Sequence, residues 1–225
     1  MEKPGKWQKP ESESKQQRIA SKSQLAIVLS QLKGFENPKV RDEQYLVDSE
    51  IAAGVLWEAF LCGNIEKKQV ADLGCGTGLL GLGALLLGAS TVFFVDRDGD
   101  ALRAAEFNLS TIKSRFFVPG KAVFRHQDIE QFDEKADTVI QNPPFGTQQM
   151  HADKAFLEKA FETAPMVYTF HKTSTAAFVQ KTAEKHGFQI SRQYDFAFPL
   201  KATQPFHRRR IHRIGVSCIR LERRL

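Results

Sequence analysis

The sequence predicts an α/β fold: a mostly parallel, seven-stranded sheet with helices on both faces, closed by an antiparallel strand at its end. Three observations predict it. From Val70 to His186, short apolar runs alternate with stretches of helical period, the pattern that builds parallel sheets through helical crossovers. A glycine-rich turn, Asp72-Leu73-Gly74-Cys75-Gly76-Thr77-Gly78, separates the first of these runs from the helix that follows. The last two β-like runs, 190–198 and 214–221, have no helix between them, as expected for an antiparallel pair.

Taken in order, residues 1–22 are rich in Lys, Glu, Ser, Gln and Pro and carry too few apolar groups to offset the entropy of ordering, so they read as a flexible tail. The domain then spans 23–225. Its first part, 23–63, is a helical extension. Leu25, Val28, Leu29 and Leu32 recur at helical spacing before Gly34, and a second helix runs from about Ser49 to Leu61, capped by Asp48 or Ser49 and closed by Gly63. Strands are expected at 70–73, 91–95, 122–125, 138–140 and 167–170, with helices at 79–87, 98–109, 153–163 and 174–186. The apolar strand at Thr91–Val95 is expected near a sheet edge that needs covering.

Composition narrows the class. With 225 residues, 42% of them apolar, the chain can bury a full core. Its longest apolar run, Leu79 to Ala89, is too short to span a membrane, and the first 22 residues lack the apolar segment of a secretory signal. Cys62, Cys75 and Cys218 are odd in number and unpaired in spacing, which argues against a disulfide framework and a zinc site. A cytoplasmic protein without a metal is expected, with the nucleus as an alternative in a eukaryote. The net charge of +6 is concentrated in 201–225, where eight Lys and Arg face one Glu, a local +7 that leaves the remainder near −1. Such a basic segment, with Phe206, His207, Arg208, Arg209, Arg210 and His212 in it, suits a phosphate backbone; a solvated charged terminus is the plainer alternative.

Candidate chemistry gathers at strand ends. The glycine turn follows the first strand, Asp96 ends the second, Asp128 follows the third, and Asn142-Pro143-Pro144-Phe145 follows the fourth. In open α/β sheets, ligands sit outside the carboxyl ends of the strands. Asp96 is placed to accept both hydroxyls of a ribose, and Asp128 to accept from an adenine amine. Gly76 to Gly81 also matches a dinucleotide fingerprint, but offset into the helix, and Asp72 would repel a pyrophosphate; a cationic cofactor without phosphates suits that acid better. Gly81 and Gly83 then serve close packing, and Cys75 reads as a small residue in a crowded turn. Prolines keep free carbonyls but donate nothing, so Asn142 and Pro143 can offer two oxygens to one exocyclic amine, with Phe145 as a stacking platform. The same residues could simply form a turn that ends a strand.

These stretches resemble those of class I S-adenosylmethionine-dependent methyltransferases. Gly34-Phe35-Glu36-Asn37-Pro38-Lys39, Glu43-Gln44-Tyr45, Asn142 through Thr147, Ala155-Phe156-Leu157, His171-Lys172 and Phe206-His207-Arg208-Arg209 are similar to the small-subunit ribosomal RNA adenine-N6 methyltransferases of the methyltransferase-like protein five type. The resemblance runs from about Leu25 to the C-terminus. It departs at Leu46-Val47, where the family has Pro-Thr, so a hydroxyl at position 47 is lost. It implies a Rossmann-like fold and S-adenosylmethionine bound by Gln44, Tyr45, Asp72, Gly74, Cys75, Gly76, Gly78, Asp96, Asp128 and Asn142. Gln44 and Tyr45 would close over its methionine end. Asn142, Pro143, Pro144 and Phe145 would be catalytic, and Phe145, His171, Lys172, His207, Arg208, Arg209 and Arg210 would contact ribosomal RNA. A small zinc-binding activator subunit at the sheet edge near the second and third strands is implied too. Protein glutamine and DNA adenine methyltransferases share the Asn-Pro-Pro chemistry. The first usually has Tyr in place of Phe145, and the second carries a target-recognition domain for which there is no room here. A non-catalytic RNA-binding module would not need Asp72, Asp96 and Asn142 intact.

Overall fold

The computed structural model describes residues 16–35, 47–144, 152–200 and 212–224. Seven strands form one sheet: β1 (Gln69–Leu73), β2 (Thr91–Asp96), β3 (Lys121–His126), β4 (Thr138–Gln141), β5 (Met166–Lys172), β6 (Phe188–Leu200) and β7 (His212–Arg223). Their order is β3-β2-β1-β4-β5-β7-β6. All pairings are parallel except those of β7, which runs antiparallel to both β5 and β6. The sheet and its antiparallel closure are those expected from the sequence.

Among the described residues, six α-helices cover the sheet: α1 (Lys22–Ser30), α2 (Ser49–Leu61), α3 (Leu79–Leu86), α4 (Gly99–Lys113), α5 (Ala152–Thr163) and α6 (Ala176–Lys185). Alternate residues of the strands feed two cores. On one face Val70, Val92, Phe94, Ile140, Tyr168 and Phe170 pack under α1 to α4; on the other Ala71, Leu73, Val95, Val139 and Val167 pack under α5 and α6. This is the period-two division of a sheet buried on both sides. Among the described residues the longest helix, α4, has 15 residues, and no helix is long and apolar enough to cross a membrane.

Local signals explain the helix ends. Ser21 caps α1 by accepting from the Gln24 amide, Asp48 caps α2 by accepting from Glu50 and Ile51, and Asp98 caps α4 by accepting from Asp100. Helix α3 starts at Gly78, which has no side chain to offer. Tight helix packing accounts for the glycines inside α3: a methyl at Gly81 would lie 2.4 Å from the Phe94 ring, and one at Gly83 would lie 2.4 Å from Leu56.

One expectation needs correction. The supposed tail does not extend to residue 22. Gln17 forms a parallel bridge with Phe116, donating to the Arg115 carbonyl and accepting from the Phe117 amide. Hydrogen bonding to a distant strand-like segment therefore orders 16–21, which local composition could not foresee; residues 1–15 lie outside the described residues. Thr91–Asp96 lies near the edge, as expected, one strand in. It is covered by β3, and β3 is the edge strand.

Candidate active site

The strand order reverses between β1 and β4, and the glycine turn sits at that point. Gly74, Gly76 and Gly78 all have positive φ, at 68°, 53° and 85°. Only glycine takes this backbone at little cost. The turn is fastened to the end of β2: the Gly74 and Cys75 amides donate to the Val95 carbonyl at 2.8 and 3.0 Å. The Gly76 amide donates to Asp96 Oδ2 at 2.7 Å, while the Asp98 amide donates to Oδ1 at 2.8 Å. Burial raises the Asp96 carboxyl above its ordinary range, and these two amides oppose the shift. Each carboxylate oxygen keeps further acceptor capacity for a pair of hydroxyls.

Asp72 works inside the turn. It is 1% exposed, and its Oδ2 accepts from the Gly81 amide at 2.8 Å. Gly81 is the third residue of α3, so the strand carboxyl supplies the cap that Gly78 lacks. Burial pushes its pKa up to about 7, against the Gly81 amide and aided by the charge of Asp96. The Asp72 side chain, expected to face a cofactor, is instead turned to the helix start. Cys75 is buried and its thiol is shifted up, chiefly by burial, which suits a packing residue rather than a nucleophile.

Two rings wall the turn. A Cβ on Gly76 would lie 2.8 Å from Phe35, and one on Gly74 would lie 2.8 Å from Phe156. Phe35 is held there through Asn108 on α4. The Asn108 side chain accepts from the Lys33 amide at 2.8 Å and donates to the Lys33 and Thr77 carbonyls at 2.9 and 3.0 Å. One amide therefore ties the glycine turn to the segment that leads toward Gln44 and Tyr45. Sequence reading passed over Asn108. Its signal was a polar residue on the buried stripe Ala101, Leu102, Ala105, Ile112 of an amphipathic helix.

At the end of β4 the chain passes from buried Gln141 to half-buried Asn142, buried Pro143 and half-buried Pro144. Gln141 Nε2 donates to Thr169 Oγ1 at 3.1 Å, and Thr169 Oγ1 lies 2.9 Å from His171 Nε2. Gln141 Oε1 is buried without a hydrogen-bond partner among the described residues. His171 is 2% exposed and its pKa is pushed down to about 4 by burial, so the ring is neutral. It supports the floor of the Asn142 segment, and the expected contact of His171 with RNA is corrected: the side chain is inside the protein. Lys172 ends β5, half-buried.

The expected residues fall in one row along the strand ends: Asp128, then Asp96, the glycine turn, Asn142 and finally Lys172, following β3-β2-β1-β4-β5. Asp128 is half-buried and caps a 3-10 turn by accepting from Glu130. Gln44, Tyr45, Phe145, His207, Arg208, Arg209 and Arg210 lie outside the described residues. The basic segment divides. Its later part is β7, where Arg220 pairs with Glu58 and Glu222 at 3.6 and 3.7 Å, and Arg223 donates to the Phe161 carbonyl over the Phe188 ring. Those two cations serve the fold and not a solvated phosphate-binding tail. Val47, at the departure from the family pattern, is buried in the apolar core.

A glycine cradle without room for a Cβ, next to acids that can accept from hydroxyls, fits a nucleoside carrying a cationic tail and disfavours a pyrophosphate. With the strand order 3-2-1-4-5-7-6, this is the Rossmann-like fold of class I methyltransferases. The methyltransferase small domain model matches residues 49–170, and the chain belongs to that family of enzymes. It is 36% identical to the rRNA N(6)-adenosine-methyltransferase METTL5 of Danio rerio over 88% of this chain and 96% of that relative. The Drosophila melanogaster Mettl5 protein, of the same description, is 34% identical over 88% of this chain and 94% of its own length. The crystal structure of an RNA methyltransferase candidate from Pyrococcus horikoshii superposes with a TM-score of 0.81 at 39% identity, covering 91% of this chain and 98% of that one.

Proposed function

We propose that the protein is an S-adenosylmethionine-dependent RNA methyltransferase that forms N6-methyladenosine in ribosomal RNA, at an adenosine of the small subunit. The observation that carries this reading is Asn142-Pro143-Pro144 at the end of β4, one strand from the glycine turn, at the point where the strand order reverses. When bound, S-adenosylmethionine supplies an electrophilic methyl group on a sulfonium. Asp96 takes the ribose hydroxyls and Asp128 the adenine amine; Gln44 and Tyr45 close over the methionine end. The glycine backbone at Gly74, Gly76 and Gly78, with Cys75 between, lets the ligand approach closely.

The amine of adenine is a poor nucleophile because its lone pair is delocalised into the ring. The Asn142 side-chain oxygen and the Pro143 carbonyl accept from its two N–H groups, favour a pyramidal nitrogen and aim the lone pair outward. Pro144 stiffens the loop, and Phe145 stacks on the extruded base. The proton is lost to water after transfer, so no catalytic base is needed. Lys172, His207, Arg208, Arg209 and Arg210 take phosphates. A small zinc-binding subunit pairs with β3, which has no strand on its outer side among the described residues. The site of action is the cytoplasm or the nucleus.

The test is methyl transfer from tritiated S-adenosylmethionine to ribosomal RNA, DNA and protein fractions side by side, followed by nucleoside analysis. Label recovered as N6-methyladenosine from RNA is expected. Label in protein glutamine or in DNA adenine would replace this reading with one of its rivals.

A further inference from the structure

Segments 16–35 and 107–120 are far apart in sequence and packed together in space. They carry Arg18, Lys22, Lys33, Lys113 and Arg115 and not one Asp or Glu, in a chain whose 32 basic residues face 26 acidic ones. Several hydrogen bonds make them one surface. Gln17 bridges to Phe116, the Gln16 amide donates to the Lys113 carbonyl at 2.7 Å, and Arg115 Nη1 donates to Gln31 Oε1 at 2.9 Å. At the upper end Asn108 holds Lys33. The cations are exposed yet ordered by rings: Arg18 lies 4.1 Å from the Phe117 ring centre, Lys33 5.3 Å from Phe107, and Arg115 5.5 Å from Phe116.

Phe107 is not a core ring. It is 56% exposed, and Ile27 on the neighbouring α1 is 57% exposed. An exposed ring with a lysine over it, between two segments that carry no carboxylate, offers a base something to stack on while its phosphates meet cations. Nearby on α4, Asp100 is already paired with Arg103, and Glu106 is the one acid adjacent to Phe107 in sequence. The surface also leads somewhere. It runs from the foot of α1 up to Lys33, and two residues on stands Phe35, whose ring covers Gly76.

We propose that the face formed by α1, the C-terminal half of α4 and the Gln17–Phe116 bridge docks a single-stranded stretch of the RNA substrate flanking the target nucleotide. Its phosphates lie on Arg18, Lys22, Lys113 and Arg115, and one base stacks on Phe107 beside Lys33. This rests on the RNA reading above. It adds a second docking surface, separate from the Asn142 segment.

The test uses the full chain and a fluorescently labelled single-stranded RNA oligonucleotide, read by anisotropy across a salt series. The triple variant Arg18→Ala, Lys22→Ala, Arg115→Ala is expected to bind at least tenfold more weakly, with the slope of log K against log salt reduced by about 2, roughly 0.7 per lost phosphate contact. Phe107→Ala is expected to weaken binding about fivefold to a hundredfold, with the salt slope unchanged. S-adenosylmethionine affinity is expected to stay at the wild-type value in both, and the thermal midpoint to fall only slightly, because the lost contacts, such as Arg115 with Gln31, lie at the exposed surface. Wild-type RNA binding that neither variant alters would overturn the docking surface while leaving the enzyme's substrate class intact. Wild type that neither binds nor methylates RNA would overturn the RNA reading itself. Unchanged RNA binding accompanied by loss of a protein subunit would reassign the face to a protein partner.

Discussion

On the proposed reading Asn142 and Asp96 act on different quantities: Asn142 would meet the reacting amine, whereas Asp96 accepts from the Gly76 and Asp98 amides and so holds the glycine turn. Asn142→Ala removes an acceptor whose value grows as the amine pyramidalises. It should lower kcat by about 10²–10³, by analogy with deletion of one oriented group at a developing charge, with little change in cofactor affinity. Single-turnover methylation of an RNA fragment, with calorimetric titration of S-adenosylmethionine, checks this; near-normal methylation would make the Asn-Pro-Pro segment an ordinary turn. Asp96→Ala should do the reverse. It strips the acceptor from the Gly76 and Asp98 amides, so cofactor binding should be largely lost. Two backbone donors are left unsatisfied at about 1–3 kcal/mol each where water cannot reach them, so the thermal midpoint should fall too.

At the scale of elements, Asn108 joins α4, the glycine turn and the segment 33–35. Asn108 is 1% exposed and makes three hydrogen bonds to backbone. Asn108→Ala leaves the Lys33 amide, the Lys33 carbonyl and the Thr77 carbonyl without that partner, and should cost about 2–4 kcal/mol of stability, given partial rescue by water. If the cover over the methionine end hangs from this point, S-adenosylmethionine affinity should also fall about tenfold or more. Asn108→Asp retains the acceptor for the Lys33 amide but not the two donations, so it should lie between wild type and Asn108→Ala in both measurements. Thermal melting with calorimetry separates the outcomes: a lower midpoint with unchanged cofactor affinity would confine Asn108 to packing.

For the whole molecule, two buried groups give opposite pH dependences. Asp72 has an ordinary value of 3.8 and is raised to about 7 in the folded chain. Between these values the folded state holds a proton that the unfolded state has released, so stability falls as pH rises from about 4 to about 7. His171 has an ordinary value of 6.5 and is lowered to about 4. There the unfolded state binds the proton, so stability rises with pH from about 4 to about 6.5 and is lost as pH falls through that window. The two slopes nearly cancel where they overlap. Denaturant midpoints measured from pH 4 to pH 8 should therefore be flatter for wild type than for either variant. His171→Gln should expose the fall toward pH 7, and Asp72→Asn the rise toward pH 6.5, each with a slope approaching about 1.4 kcal/mol per unit. A His171→Gln profile as flat as wild type would mean that the ring is not held neutral.

The sequence by itself determined the order of elements, the class of fold and the row of strand-end groups, because these rest on local physics. Period-two and helical apolar patterns choose strand or helix, and a positive-φ turn needs glycines such as Gly74, Gly76 and Gly78. Parallel alternation also sends every strand's carboxyl end to one side, so Asp96, Asp128 and Asn142 gather there whatever fills the core. Tertiary structure alone decided what depends on partners distant in sequence. Gln17 is ordered by Phe116, Phe35 reaches the glycine turn through Asn108, and Asp72 turns to Gly81 rather than outward. It also decided that His171 is buried against Thr169 and that Arg220 is engaged with Glu58. Burial is a property of what packs on top of a residue, and a side chain's hydrogen bond goes to whichever donor or acceptor the fold brings within about 3 Å. Neither is written in the neighbouring residues, and both set which of the candidate groups face a ligand and which hold the protein together.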